Sequence, residues 1–184
     1  MEKKKLEVLN QTIIQNPLPN IQITKYRIEL PELVFVSGQF FGIDPGTTNL
    51  GIAEINTTHS KEYCYLYQIK MGRMNLVDRL QQMSVIHSAC LNSFSHGKMY
   101  SVIEGASYGS AYRQSELAEV RALSAHWFFT HLSRVKVLAP SSIRKIVFGN
   151  GKIKAQEIWE CNIPNDALAA LSCAYAALLT NWEV

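Results

Sequence analysis

Three apolar runs at 39–44, 50–56 and 62–69 follow one another with little between them, and this spacing constrains the fold more than any other feature of the chain. The first two flank the polar turn Pro45-Gly46-Thr47-Thr48-Asn49, the pattern of two strands joined by a tight loop. In the third, Tyr63, Tyr65 and Tyr67 alternate onto one face, so the runs predict an antiparallel meander. The period then changes. Leu76, Leu80, Met83, Ile86, Cys90 and Phe94 recur at helical spacing and predict an amphipathic helix over 75–94. A short buried strand is expected at 98–106, with Glu104 closing its apolar part. A helix over 114–132, a strand at 134–140 and a helix initiated by Ser141 and running to 148 follow. Gly149 and Gly151 stop that helix, and Pro164 suits the first turn of a last, apolar helix. This order is that of one mixed α/β domain over 39–184. Residues 1–38 form an extension with no assigned role: a charged start, a break at 16–20, and a run at 21–30 whose mixed alternation suits an edge strand or a strap.

With 184 residues, 47% of them hydrophobic and 18% charged, the chain can build one domain around a core. Its longest nearly uninterrupted apolar run, 167–179, contains Ser172 and falls short of the roughly 20 residues a membrane-spanning helix requires. The first ten residues carry early acids and no apolar segment, unlike a secretory signal or a transit peptide. These features predict a cytoplasmic protein without membrane contact. Cys64, Cys90, Cys161 and Cys173 lack the paired short spacings of zinc sites, so they read as apolar filler in a reducing compartment.

The residues that suggest chemistry stand at element ends. Asp44 closes the first predicted strand of the domain, Glu104 the fourth, and Asp166 opens the last helix. Each has an ordinary explanation: a turn cap for Asp44, a solvated strand end for Glu104, and an acid favoured by the helix dipole for Asp166. Together they suggest more, because carboxylates at the ends of neighbouring elements can converge on one sheet edge, where they repel one another unless cations intervene. Mg²⁺ prefers oxygen ligands, and two such ions about 4 Å apart can activate a water and stabilise the leaving oxygen of a phosphodiester. Between Glu104 and Asp166 lie Arg134, Lys136, Arg144, Lys145, Lys152 and Lys154, and the stretch 134–154 has no acid: a local charge of +6 against +3 for the whole chain. Such a stretch is either a footprint for a polyanion or a solvated face.

The strings GIDPGTTNLGIAEI (42–55), SVIEGA (101–106), APSSIRKIVFGNGKIKA (139–155) and NDALAALSCAYA (165–176), in that order, resemble the RuvC family of Holliday-junction resolvases, members of the RNase H-like nuclease superfamily. The resemblance runs over roughly residues 39–180. It implies an α/β fold of the RNase H-like type, a mixed five-stranded sheet flanked by helices. It also implies a homodimer that nicks two opposed strands of four-way DNA, leaving 5′-phosphate and 3′-hydroxyl ends. The implied cofactor is a pair of Mg²⁺ ions per active site, with Mn²⁺ as a substitute. Asp44, Glu104 and Asp166 match three of the family's catalytic, metal-binding acids.

The chain also departs from that pattern. Where the family carries a fourth acid, three residues before the last, Ile163 stands; Asn162 and Asn165 are the candidate neutral oxygen ligands, and no histidine follows His131. Eleven residues separate Lys154 from Asp166, so the intervening helix is expected to be trimmed. Ser107 stands where bacterial members carry an aromatic wedge, with Tyr108 beside it either to stack on an unpaired base or to serve as an ordinary aromatic. Arg144 matches a family lysine. With Arg113 and with Lys145, Lys152 and Lys154 of the following loop, it is expected to contact DNA phosphates. Lys154 is also a catalytic candidate that would steady transition-state charge. A two-fold symmetric junction asks for two equivalent sites, hence a homodimer, and Trp127, Phe128 and Phe129 suit either its interface or the protomer core. Three rivals stay open. The first string also resembles the first phosphate loop of heat-shock and sugar-kinase ATPases, though no second such loop follows residue 106. The others are a junction-binding protein without catalysis and a related nuclease of different branched-DNA or hybrid specificity.

Overall fold

The computed structural model describes residues 4–14, 21–29, 36–58, 63–72, 75–90, 99–106, 114–131 and 133–182. Along the chain these form β1 (Lys4–Lys5), β2 (Glu7–Ile14), β3 (Ile21–Glu29), β4 (Gln39–Asp44), β5 (Asn49–Asn56), β6 (Tyr63–Met71), α1 (Leu76–Cys90), β7 (Met99–Glu104), α2 (Gln114–Thr130), β8 (Arg134–Leu138), α3 (Pro140–Phe148), α4 (Ala155–Ile158), β9 (Trp159–Glu160) and α5 (Asn165–Leu179). The expected meander is present: β4, β5 and β6 pair antiparallel in sequence order. β7 and β8 then add in parallel on the other side of β4. These five strands make the mixed sheet that the sequence predicts.

The extension enlarges that sheet to seven strands, in the order β2-β3-β6-β5-β4-β7-β8. The run at 21–30 is therefore not an edge strand. As β3 it lies between β2 and β6, and Ile23, Tyr26 and Ile28 are buried there. The edge falls to β2, whose side chains are almost all exposed. A separate two-stranded ladder joins β1 to β9 in parallel.

Two apolar clusters sandwich the sheet. One holds Phe41, Ile43, Ile52 and Ile103 with Met83, Ile86 and Cys90 of α1 and Val120, Trp127 and Phe128 of α2. The other holds Phe40, Ala53, Ile55 and Val102 with α5, which is buried over most of its length, and with Ile143 of α3. Alternate residues of β4 thus serve opposite layers, as the two-residue strand period requires. α5 is apolar all round because it packs on the sheet on one side and under α3 and α4 on the other. No helix among the described residues is long and apolar enough to cross a membrane.

Element ends differ from the sequence expectation for identifiable reasons. α1 is capped by Asn75, whose Oδ1 accepts the Asp78 amide at 2.9 Å. The described part of α1 ends at Cys90, and Phe94 lies outside the described residues. α3 begins at Pro140, not through a Ser141 cap. Its flanking residue Ala139 offers no side-chain cap, and proline at the first position supplies a preset φ in place of one. α3 ends where Gly149 adopts φ 72°, the left-handed conformation that glycine tolerates without strain. α4, four residues long, is the trimmed helix expected between Lys154 and Asp166, and the two-residue β9 follows it. The aromatic trio of α2 is divided: Trp127 and Phe128 are buried in the core, whereas Phe129 is 73% exposed.

His87 stands out inside the α1–α2 layer. Its Nδ1 donates to the Met83 carbonyl at 2.6 Å, its ring stacks on Trp127, and its Nε2 has no hydrogen-bond partner among the described residues. Complete burial lowers its pKa from 6.5 to about 4. A histidine whose folded value is depressed destabilises the protein as pH falls, since below the unfolded value only the unfolded chain takes the proton. Stability should therefore drop between pH 6.5 and 4, by about 2–3 kcal/mol from this group. Thermal midpoints of wild type and His87→Phe, compared at pH 7 and pH 4.5, check this: the variant should lose less on acidification.

Candidate active site

The register of the sheet brings the first two acids together. β4 and β7 run in parallel with Ile43 beside Ile103. The next residues, Asp44 and Glu104, therefore end adjacent strands spaced about 4.8 Å apart. Ile43 and Ile103 face the α1–α2 layer, so Asp44 and Glu104 project to the other face, toward α5.

Two glycines bring the third acid onto that face. A Cβ on Gly51 would lie 2.1 Å from the Asp166 carbonyl oxygen, and one on Gly42 would lie 2.0 Å from that of Ala170. The helix thus rests on bare strand backbone. Since Gly51 is the ladder partner of Asp44, the first turn of α5, with Asp166 in it, sits beside the end of β4. All three carboxylates line one cavity of about 210 Å³, together with Arg144, Lys154, Gln156 and Asn165.

Electrostatics mark this cavity as an unusual place for acids. Burial pushes the Asp44 carboxyl well above its ordinary range, Glu104 and then Asp166 push it further, and Arg121 draws it back. Burial also raises Glu104, with Arg144 and Arg121 opposing. Asp166 is raised by burial and eased by a side-chain hydrogen bond from Gln68. Three acids raised by burial, with Asp44 raised further by its two acidic neighbours, are a cluster that asks for additional positive charge. Among the described residues, no three His, Cys, Asp or Glu side chains stand close enough together to grip a single ion. The three carboxylates offer the oxygen donors that Mg²⁺ prefers, and waters or substrate oxygens would complete the shell of an ion held there.

Arg121 and Gln68 escape a reading of the sequence. Arg121 Nε donates to the Glu104 carbonyl at 3.1 Å from α2. Gln68 is the ladder partner of Gly51 on β6, which places it beside the first turn of α5. Neither belongs to a motif, and only strand register and helix packing bring them to the acids.

The other candidates scatter. Asn165 lines the cavity, whereas Asn162 is exposed and lies outside its lining. Ile163, at the place of the absent fourth acid, is buried in the α5-side core. Arg144 and Lys154 reach the cavity, and Lys145 and Lys152 are exposed on the same α3-to-α4 stretch. The loop is held by Arg144 donating to the Gly151 carbonyl and by Asn150 Oδ1 accepting the Lys152 amide. Arg134 and Lys136 are occupied elsewhere: they donate to the Trp182 and Asn181 carbonyls, and the Lys136 ammonium sits 4.7 Å above the Trp182 ring. The acid-free stretch 134–154 therefore divides between the chain's end and the cavity. Tyr108 and Arg113 lie outside the described residues.

A mixed sheet with parallel and antiparallel parts, covered by helices on both faces and carrying acids at the ends of β4 and β7, is an RNase H-like α/β fold. Within that class it matches RuvC. A structure of Thermus thermophilus RuvC superposes with a TM-score of 0.59 at 16% identity, covering 76% of this chain and 92% of that one. A structure of the T. thermophilus protein in complex with a Holliday junction substrate gives 0.61 at 17% identity with the same coverage. No protein-family model and no curated protein matches the sequence.

Proposed function

We propose that this chain is a divalent-metal-dependent, structure-selective DNA endonuclease that resolves four-way junctions by paired nicks, working as a homodimer. The observation that carries the reading is the convergence of Asp44, Glu104 and Asp166, from three separate elements, on one cavity that also presents Arg144 and Lys154. The RuvC fold supports it, and the neighbour that holds a Holliday junction supports branched DNA as the substrate. Asp44, Glu104 and Asp166 would hold the ions. Asn165, which lines the cavity, would offer a neutral oxygen in the absence of a fourth acid. Bound Mg²⁺ would supply an activated water and neutralise charge developing on the phosphodiester. Arg144 and Lys154 would receive the phosphate and oppose its charge. Asp166 keeps its carboxylate oriented through Gln68. Junction binding without cleavage is the second reading, and Ile163 in the core, where a fourth acid would stand, favours it.

Two results would bear on the proposal directly. The acids have raised folded-state pKa values, so in metal-free protein their stability contribution is full below the ordinary carboxylate range and lost as pH rises through the raised values. Mg²⁺ requires the deprotonated forms and should restore that loss. The thermal midpoint should therefore rise on Mg²⁺ addition, more at pH 8 than at pH 5; equal shifts at both would argue against carboxylate ligation. Lys154→Ala should lower single-turnover cleavage of a four-way junction by about tenfold or more while changing binding by less than about threefold. Equal losses would reduce Lys154 to a phosphate contact.

A further inference from the structure

Between Gly149 and Pro164 the chain has little structure of its own to keep its shape. α4 has four residues, far below the about 12–15 at which an isolated helix begins to hold, and β9 has two. Yet this stretch carries Lys154 and Gln156 to the acid-lined cavity. Among the described residues, the strand partner of β9 is β1, from the start of the chain, with Lys4 beside Trp159 and Lys5 beside Glu160. The ladder extends by one bond, as the Leu6 amide donates to the Glu160 carbonyl at 3.2 Å. Leu6 itself is only 4% exposed and belongs to the core cluster that contains Ile158, Trp159 and Ile163. Directly after Leu6, β2 and β3 fold back as an antiparallel pair, with β3 laddered to β6 of the main sheet.

The extension is thus tied at two places, to the central sheet and to β9, which follows the cavity residues Lys154 and Gln156 closely in the chain. We propose that β1, Leu6, β2 and β3 form a brace for the active-site rim, with Leu6 as its positioning residue, acting through the segment from Lys154 to Glu160. A misplacement of about 1 Å can cost a catalytic site about 100-fold in rate, and a one-turn helix cannot by itself hold Lys154 to that tolerance. The brace also accounts for how so short a connection between Lys154 and α5 stays ordered: it borrows a strand and a core side chain from the other end of the chain. The proposal rests on the nuclease reading for its activity readout but not for its structural one.

The test uses full-length Leu6→Ala, with Leu6→Met as the conservative control, and two measurements. Hydrogen exchange should accelerate by about tenfold or more at the amides of 155–160 in Leu6→Ala while the amides of β4, β5 and the middle of α5 stay protected. Cleavage of a four-way junction at saturating DNA should fall by about tenfold with binding within about twofold, and Leu6→Met should behave as wild type. In a double-mutant cycle with Lys154→Ala, the two losses should be less than additive, since one removes the ammonium group that the other misplaces. Exchange that rises uniformly across the chain, or not at all, would overturn the brace, as would fully additive losses. If wild type cuts no branched DNA, the nuclease reading fails and the exchange pattern still decides the brace.

Discussion

Asp44→Asn should bind a synthetic four-way junction and fail to cut it. The substitution keeps the size and hydrogen-bonding outline of the side chain and removes one negative charge from the middle of the cluster. Because Asp44 lies beside both Glu104 and Asp166, its loss would weaken the hold of the cluster on any cation bound there. A fall in single-turnover cleavage of at least about 10³-fold is expected, in the range seen when a principal electrostatic group is removed. Binding should stay within a few-fold or tighten, since a negative charge near the phosphates has gone. A second readout needs no activity: metal-free Asp44→Asn should be more stable than metal-free wild type near pH 8, because buried like charges no longer repel. Cutting by the variant at the wild-type rate would remove Asp44 from the chemistry. Junction binding by a wild type that never cuts would favour the non-catalytic reading, and equal cutting of linear hybrids would favour a different nuclease specificity.

Gly42→Ala should give the largest loss of stability for the smallest change in composition. The added methyl would lie 2.0 Å from the Ala170 carbonyl oxygen and 2.2 Å from the Ala174 amide nitrogen. Both neighbours are helix backbone, so no side-chain rotation can relieve the overlap, and α5 must lift from β4. Overpacking of this kind costs about 1–3 kcal/mol, which for a chain of this length lowers the thermal midpoint by roughly 2–12 °C. The same lift would move Asp166 away from Asp44, so cleavage should fall further than the stability loss alone explains. A midpoint within about 1 °C of wild type would mean that the helix does not rest on the strand as closely as described.

The acids show what a linear reading can reach. Asp44, Glu104 and Asp166 are recognisable because each stands at the end of a strongly patterned element, and the resemblance runs through the same strings. Arg121 and Gln68 have no such marker. Arg121 sits in a helix whose orientation depends on how α2 packs on β7 and β8, and Gln68 is one polar residue in a strand otherwise rich in tyrosine. The basic stretch shows the opposite error, since residues that look like one patch divide between the cavity and the chain's end.

The meander, the helical stripes and the apolar last helix were determined by the sequence alone, because strand and helix periods are local and the turns between them are short. The place of β3 inside the sheet, the pairing of β1 with β9 across more than 150 residues, and the meeting of three carboxylates were decided only in three dimensions. Those contacts depend on which surfaces remain unburied once the local elements have formed, and no window of neighbouring residues carries that information.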